Sequence, residues 1–266
     1  RLLTINFKIM GVDLQTISQL RERTGAGIGD CKNALTEANG DMEKAIEVLR
    51  KKGEIKAAKK SDRATNEGLV SLAFRDDKIA GVAVACETDF VSRGEDFIMA
   101  VDGFSQKLLT SDQASFRSWA EDSIKSELVV KIGENIKLLD FGITEGGVLG
   151  SYLHANKKVA GVVSLTLGNK ELASEIAMQV VAMSPRYLNP EEVPAEIVAK
   201  EKEIYEAQLK QENKPEAIWD KIIQGKLNKF FEDVCLTEQI FIKDDTKKIK
   251  DLLGGAKIKE FRKYQI

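Results

Sequence analysis

The strongest restriction on the fold of this chain comes from an almost unbroken apolar run, residues 79–85, which follows a second apolar segment, residues 69–74. Apolar runs of this length bounded by turn residues are typical of buried strands. The connection between them, residues 75–77 (Arg-Asp-Asp), is short and favours a turn, so a β-hairpin is predicted. Its second strand leads into residues 86–91, which read Cys-Glu-Thr-Asp-Phe-Val.

The end of this strand places an acidic side chain, Asp89, beside an aromatic one, Phe90. The neighbouring sequence offers no base, no nucleophile with a partner and no phosphate-binding glycine loop, so the pair suits insertion into a partner protein better than chemistry. A structural alternative is favoured by the residues alone, because hydrophobic staples are common. In that alternative, Asp89 accepts backbone N–H bonds at a turn or helix start, and Phe90 packs as the staple of the next helix.

The composition restricts the class of protein. The 266 residues are 43% hydrophobic and 31% charged, which indicates a globular protein of two or three units. Lys and Arg number 40 against 42 Asp and Glu, and the resulting net charge of −2 provides no basic field for direct nucleic-acid binding. No apolar stretch of the sequence is long enough to span a membrane, so no membrane association is predicted.

Cysteine and histidine usage argues against a metal centre. The three cysteines, Cys31, Cys86 and Cys235, are odd in number and far apart, and His154 is the one histidine of the sequence. We therefore predict no metal and no cofactor. An odd number of widely spaced cysteines fits a reducing compartment, which predicts a cytoplasmic protein.

Helical periodicity governs the N-terminal part of the chain. After an extension, residues 1–11, apolar residues at helical spacing predict three short helices around one small core in residues 12–54. Asp30 is predicted to cap the second helix, and Gly53 is predicted to end the third at its C′ position. Residues 55–68 are basic and polar, which predicts a linker helix that frays into a loop.

Strands and helices then recur in a similar order, which predicts an α+β protein whose core consists of two related halves. The first half spans residues 69–141, and the second spans residues 142–193 together with residues 232–266. Residues 194–231 predict an inserted antiparallel helical hairpin, a coiled coil that is also the candidate surface for a dimer. The narrow apolar seam of this hairpin is predicted from Ile197, Ile204, Ala207, Ile218, Ile222, Leu227 and Phe230.

Five segments, in this order, resemble those of the bacterial elongation factor Ts family, the nucleotide exchange factors of elongation factor Tu. Residues 20–27 and 30–41 are similar to the family's N-terminal domain of ubiquitin-associated type. Residues 88–91, Thr-Asp-Phe-Val, resemble its signature loop. Residues 131–135, Lys-Ile-Gly-Glu-Asn, resemble its mid-chain motif, and residues 150–154, Gly-Ser-Tyr-Leu-His, resemble its histidine segment.

The resemblance implies a factor that binds GDP-bound elongation factor Tu and promotes GDP release, without an active site of its own. It places Thr88, Asp89, Phe90 and Val91 at the partner's magnesium and phosphate site. There Phe90 would wedge between helices and Asp89 would disturb the surroundings of the metal. Displacing a magnesium ion that bridges phosphate and protein weakens nucleotide binding without any covalent step.

The resemblance also implies partner contacts by Arg21, Ile28, Gly29 and Lys32 in the helical domain and by His154 in the second half of the core. On the residues alone, Arg21 and Lys32 are ordinary solvated charges, Ile28 and Gly29 shape a turn, and His154 is a satisfied structural residue. The sequence departs from the family pattern at Gly29, where a large apolar side chain is usual. It also lacks the usual glycine and arginine after His154.

Two other classes of function remain open. A ubiquitin-associated-like helical unit with a helical hairpin fits a protein-binding scaffold that leaves the nucleotide state of its partner unchanged. A thiol enzyme would use Cys86 with His154. The sequence gives that enzyme little support, because Cys86 falls in a strand predicted to be core and no acid is placed to orient His154.

Overall fold

The structure, a computed structural model, describes residues 12–266, so the predicted extension, residues 1–11, lies outside the described residues. The described residues form both helices and strands, in agreement with the predicted α+β class. The chain divides into two compact units. Of the described residues, the first unit contains residues 12–73, Gly81–Gly142 and Ile266, and the second contains Phe74–Ala80 and Ile143–Gln265. Within residues 12–266, none of the helices combines the length and apolar character that a membrane span requires.

Three helices form the N-terminal part of the first unit. They are α1 (Leu14–Thr24), α2 (Ile28–Glu37) and α3 (Met42–Lys60). Each contributes a fully or almost fully buried leucine, Leu20, Leu35 and Leu49, to one apolar cluster. The predicted group of three helices around a small core is therefore confirmed. Gly25 ends α1 in the left-handed conformation, with φ 67°, at the break predicted from the glycine-rich turn.

Aspartate side chains begin two of these helices. The Thr16 N–H donates to Asp13 at 2.6 Å, and the N–H groups of Glu43 and Lys44 both donate to Asp41 at 3.1 Å. These backbone donors lower the pKa of both aspartates. A lowered folded-state pKa stabilises the fold only while the carboxylate is ionised. The contribution is therefore present at neutral pH and is lost as the pH falls through the lowered pKa.

The prediction that Asp30 caps α2 is wrong. The helix begins at Ile28 with Gly27 as its N-cap, which places Asp30 in the first turn. A carboxylate in the first turn interacts favourably with the positive end of the helix dipole. The Asp30 carboxylate also pairs with Lys56 of α3 at 2.8 Å, so this residue links two helices and does not start one.

The prediction that Gly53 ends α3 is also wrong, because the helix continues to Lys60 and takes in the first part of the predicted linker. Gly53 is buried inside the helix. A β-carbon at this position would lie 2.4 Å from Val130 Cγ2 and 2.7 Å from the Lys125 carbonyl oxygen. Glycine is required here because another chain segment approaches the helix closely, and a left-handed C-cap is not involved.

A three-stranded sheet in the order β1-β2-β3 contains the predicted hairpin. Its strands are β1 (Glu67–Arg75), β2 (Lys78–Cys86) and β3 (Lys137–Glu145). Asp76 in the short turn between β1 and β2 has a φ of 47°, the left-handed conformation that tight hairpin turns favour. Every residue of β2 after Lys78 is buried, as the apolar run predicted.

Helices surround this sheet within the first unit. They are α4 (Asp89–Ser92), α5 (Glu95–Leu108), α6 (Gln113–Ser123) and α7 (Val129–Ile132), with a π-helical stretch, Ile124–Leu128, before α7. Ser71 of β1 donates to Asp102 of α5 at 2.6 Å, so α5 packs on the hairpin as predicted. The apolar stripe predicted for α5 is buried and consists of Phe97, Val101, Phe104 and Leu108.

The second unit is built on another three-stranded sheet, which is antiparallel and has the order β4-β5-β8. In chain order its elements are β4 (Val148–Leu153), β5 (Val159–Leu165), α8 (Lys170–Met183), α9 (Ala195–Gln211), α10 (Trp219–Val234), β6 (Ile240–Phe241), β7 (Asp244–Lys248), α11 (Ile249–Leu252) and β8 (Ile258–Gln265). Helix α8 packs directly on β4, since a β-carbon at Gly150 would lie 2.2 Å from the Ala173 backbone.

Helices α9 and α10 pack against each other across a short connection, as predicted, but the predicted seam is partly wrong. Ile204, Ala207 and Ile218 are exposed. On α9 the seam is formed one position further along, at Val198 and Tyr205, because those side chains face α10. The apolar cluster between the two helices consists of Val198, Tyr205, Leu209, Trp219, Ile222, Ile223, Leu227 and Phe231.

Candidate partner-binding site

Residues 88–91, which we call the tip, follow Glu87 just after the end of β2 and include the start of the short helix α4. Thr88 is the N-cap of this helix, and its hydroxyl accepts the Val91 N–H at 3.4 Å. The Phe90 side chain is 84% exposed, the highest exposure of any large hydrophobic residue between residues 12 and 266. The structural alternative is therefore wrong on both points, because Phe90 does not pack as a staple and Thr88 takes the capping role considered for Asp89.

Asp89 occupies the first turn of α4 and remains accessible. Its carboxylate pairs with Arg93, one turn further along, at 3.3 Å, and both side chains are exposed. An exposed ion pair of this kind contributes little to stability and exchanges readily for other partners. The tip thus presents a solvent-accessible carboxylate next to a solvent-accessible aromatic ring.

A carboxylate from a distant part of the chain holds the base of the tip. Glu134 Oε2 accepts the backbone N–H groups of Glu87 at 2.9 Å and Thr88 at 3.0 Å, and Glu134 Oε1 accepts the Thr88 hydroxyl at 2.6 Å. The two donating residues come after Cys86, the last residue of β2, and lie outside the strand. A charged acceptor makes such hydrogen bonds shorter and stronger than neutral ones. We call Glu87, Thr88, Glu134 and Asn135 the clamp.

Within the clamp, the Glu87 side chain in turn accepts a hydrogen bond from the residue after Glu134. The Asn135 N–H donates to Glu87 Oε1 at 2.6 Å, and Arg63 approaches the same oxygen at 3.4 Å. The buried Asn135 side chain donates to the carbonyl oxygens of Ser61 at 3.3 Å and Arg63 at 2.8 Å. Through these bonds the base of the tip is tied to the chain segment that follows α3.

Sequence reasoning did not assign a role to Glu134 or Asn135. Both belong to the mid-chain motif, residues 131–135, which contributed to the family resemblance but stands far from residue 88 in the chain. Gly133, with φ 85°, ends α7 and turns the chain so that the next two residues enter the clamp. The sequence signal for this role was a glutamate directly after a helix-ending glycine. The spacing in the sequence did not show which residues its carboxylate would bind.

The four residues predicted in the helical domain lie at the end of α1 and the start of α2. Arg21 is exposed in the last turn of α1, and Ile28, Gly29 and Lys32 are exposed in the first part of α2. Ile28 and Lys32 share one face of the helix because they are four residues apart. Ile28 is 56% exposed, and no atom lies within 4 Å of a β-carbon built at Gly29.

His154 belongs to the second unit and begins the loop between β4 and β5. Its side chain is exposed, and its ring packs edge-on against Tyr152 with centroids 6.4 Å apart. The Asn156 N–H donates to His154 Nδ1 at 3.4 Å, which leaves Nε2 for other contacts. The ring is therefore orientated by its neighbours and accessible to solvent.

The cysteines do not present reactive thiols. Cys31, Cys86 and Cys235 are all buried and none of the three forms a disulfide, and the Cys86 thiol donates to the Thr88 carbonyl oxygen at 3.3 Å. Burial raises the pKa of the Cys235 thiol to about 11 and raises that of Cys31 as well. Among the residues described here, no three His, Cys, Asp or Glu side chains form a group suited to a metal ion.

Fold and site together define a protein of mixed helix and sheet that presents an acidic and aromatic tip at the end of a buried strand. Residues 87–266 match the family model described as elongation factor TS. The elongation factor Ts of Hahella chejuensis is 40% identical over 264 residues, which cover 96% of this chain and 92% of that protein. The elongation factor Ts of Teredinibacter turnerae is 41% identical over 267 residues, covering 97% and 91%. The chain belongs to the elongation factor Ts family.

Proposed function

We propose that this chain is a guanine nucleotide exchange factor that acts on the GDP-bound form of elongation factor Tu in translation elongation. Membership of the elongation factor Ts family supports this activity. The single structural observation that carries the proposal is the exposed Phe90 ring at the end of an otherwise buried strand. An aromatic side chain that is almost free of contacts within its own chain is suited to burial in a partner.

The tip, residues 88–91, acts at the magnesium and phosphate site of the partner. Phe90 inserts between helices of the partner, and Asp89 adds a negative charge near the metal. Magnesium demands near-ideal octahedral geometry from its oxygen ligands, so a shifted ligand or a new neighbouring charge loosens it. GDP is then held less tightly because the charge that neutralised its phosphates has gone. No bond is made or broken, so the factor is not an enzyme.

The tip alone is too small to account for the whole effect. Burying one phenylalanine contributes about 1.5 to 3 kcal/mol, which corresponds to roughly ten- to a hundredfold in an equilibrium constant. Further contacts are supplied by Arg21, Ile28, Gly29 and Lys32, and by His154 in the second unit. Their exposure supports this assignment, because a partner can reach each of them without any rearrangement of the fold.

The domain organisation follows the family resemblance. The three helices within residues 12–54 form a domain of ubiquitin-associated type, although α3 extends past the proposed boundary into the linker, residues 55–68. Residues 69–141 form the first half of the core, and residues 142–193 with 232–266 form the related second half. In each half a three-stranded sheet supports the assignment. Residues 194–231 form the inserted hairpin.

The factor works in the cytoplasm and contacts protein alone, without direct binding to nucleic acid. The nearly balanced charge and the three cysteines outside any disulfide support this setting. We also propose that two copies associate through the helical hairpin. Ile204 and Ile218 support this association, since both are exposed and lie outside the seam. Sedimentation velocity of the full chain tests the dimer.

Stopped-flow release of a fluorescent GDP analogue from elongation factor Tu tests the exchange activity. In excess unlabelled GDP, the release rate should rise with the concentration of the chain and reach a plateau, because the tip stabilises the form that has lost its phosphate contacts. Reciprocity requires that GDP weaken the complex by the same factor. A saturating complex that leaves release at its spontaneous rate would favour the scaffold and contradict the proposal.

Arg21 and Lys32 should act as anchors and leave the maximal rate unchanged. The double variant Arg21→Ala, Lys32→Ala should raise the half-saturating concentration by about tenfold, equivalent to about 1.4 kcal/mol, because charges at a contact set encounter and affinity. The matched control is Lys51→Ala, Lys59→Ala, which removes two exposed charges from α3. A lowered plateau in the anchor variant would show that these residues take part in release itself.

A further inference from the structure

The clamp fixes the backbone at the base of the tip, which an exposed docking surface does not by itself require. The ring and carboxylate of the tip are exposed, yet the two residues before Asp89 have their backbone N–H groups held by one carboxylate. A helix as short as α4 supplies few hydrogen bonds of its own, since the first four N–H groups of any helix lack an intrahelical partner. The orientation of the tip therefore depends on groups outside it.

We propose that Glu134 is a positioning residue that fixes the direction in which Asp89 and Phe90 leave the sheet. This inference rests on the proposed exchange function and deepens it. The three hydrogen bonds that Glu134 accepts from Glu87 and Thr88 define both the end of β2 and the start of α4. Thr88 is at once the N-cap of α4 and a donor to Glu134, so movement of the carboxylate moves the cap.

The position of Glu134 is itself determined by two neighbours. Lys60, the last residue of α3, donates to the Gly133 carbonyl oxygen, and Asn135 is buried with its side chain bonded to the carbonyls of Ser61 and Arg63. The carboxylate is therefore presented from a segment that is anchored on both sides. Pre-organisation of this kind lowers the entropy cost of inserting the tip into a partner.

Amide hydrogen exchange of the isolated full chain tests the positioning role without any partner. Glu134→Ala should increase exchange of the Glu87 and Thr88 amides by about tenfold or more, while the amides of β2 keep their protection. The matched control is Glu127→Ala, which removes an exposed glutamate that pairs with Arg50 at 3.7 Å in the same unit. Unchanged protection of Glu87 and Thr88 in Glu134→Ala would overturn the inference.

Nucleotide release then tests whether position matters for exchange. Glu134→Ala should lower the plateau rate of GDP release by about tenfold. In the Asp89→Ala, Phe90→Ala background it should lower that rate less than twofold further, because a misdirected tip and a tip without its carboxylate and its ring lose the same contacts. If Glu134→Ala lowers the plateau rate by the same factor with and without the tip substitutions, the inference is overturned.

Glu134→Gln provides a second test in case Glu134→Ala does not fold. The amide keeps the shape of the side chain but loses one acceptor and the charge, so both readouts should lie between wild type and Glu134→Ala. Glu134→Gln that matches wild type in amide protection and in release would overturn the inference. If the wild-type chain does not accelerate release, the proposed function fails, and amide exchange still decides whether Glu134 positions the tip.

Discussion

Phe90→Ala should lower the plateau rate of GDP release by about tenfold or more while leaving the fold unchanged. The ring is 84% exposed, so its removal costs the free protein almost no packing. In the complex we propose, the same ring is buried and would contribute about 1.5 to 3 kcal/mol, and each 1.4 kcal/mol corresponds to tenfold. Stopped-flow release measures the rate, and thermal unfolding of the free chain measures the fold.

Phe74→Ala is the matched control for this prediction. Phe74 is also a surface phenylalanine, 57% exposed near the end of β1, and it lies outside the tip and its clamp. Its removal should leave release at the wild-type rate. If Phe90→Ala unfolds the chain, the ring has a structural role that the exposure does not reveal. If Phe90→Ala is folded and fully active, insertion of Phe90 is not the source of exchange.

The hairpin could be predicted because it depends on local sequence. An apolar run of strand length next to a two-aspartate turn has few alternatives, and the structure confirms β1, β2 and the α5 stripe. Where Phe90 points could not be predicted in the same way, since a staple and a wedge share one sequence pattern. The choice between them depends on whether tertiary neighbours cover the ring.

The errors concern residues whose roles are set by distant parts of the chain. Asp30 has the sequence features of an N-cap, but α2 begins at Ile28 and the carboxylate instead pairs with Lys56. Glu134 is separated from Thr88 by several helices, so their hydrogen bonds could not be inferred from spacing. On α9 the seam is displaced by one position, because Tyr205 and not Ile204 faces α10.

Gly53→Ala should destabilise the first unit by about 2 kcal/mol or more. In an exposed helix interior the same change stabilises by up to about 1 kcal/mol, because alanine has the higher helix propensity. At Gly53 the new methyl group would lie 2.4 Å from Val130 and 2.7 Å from the Lys125 carbonyl oxygen. The second contact is with backbone, which cannot rotate away, so overpacking outweighs propensity. Denaturant unfolding of the full chain measures the difference.

Gly103→Ala provides the comparison that separates these two effects. Gly103 also lies inside a helix, α5, but it is exposed and nothing lies within 4 Å of a β-carbon built there. This variant should be as stable as wild type or more stable by up to about 1 kcal/mol. If Gly53→Ala lowers the free energy of unfolding and Gly103→Ala does not, the close approach of residues 124–132, and not helix propensity, requires glycine in α3. Equal stabilisation by both substitutions would mean that α3 moves away from that segment at little cost, and that Gly53 does not control their packing.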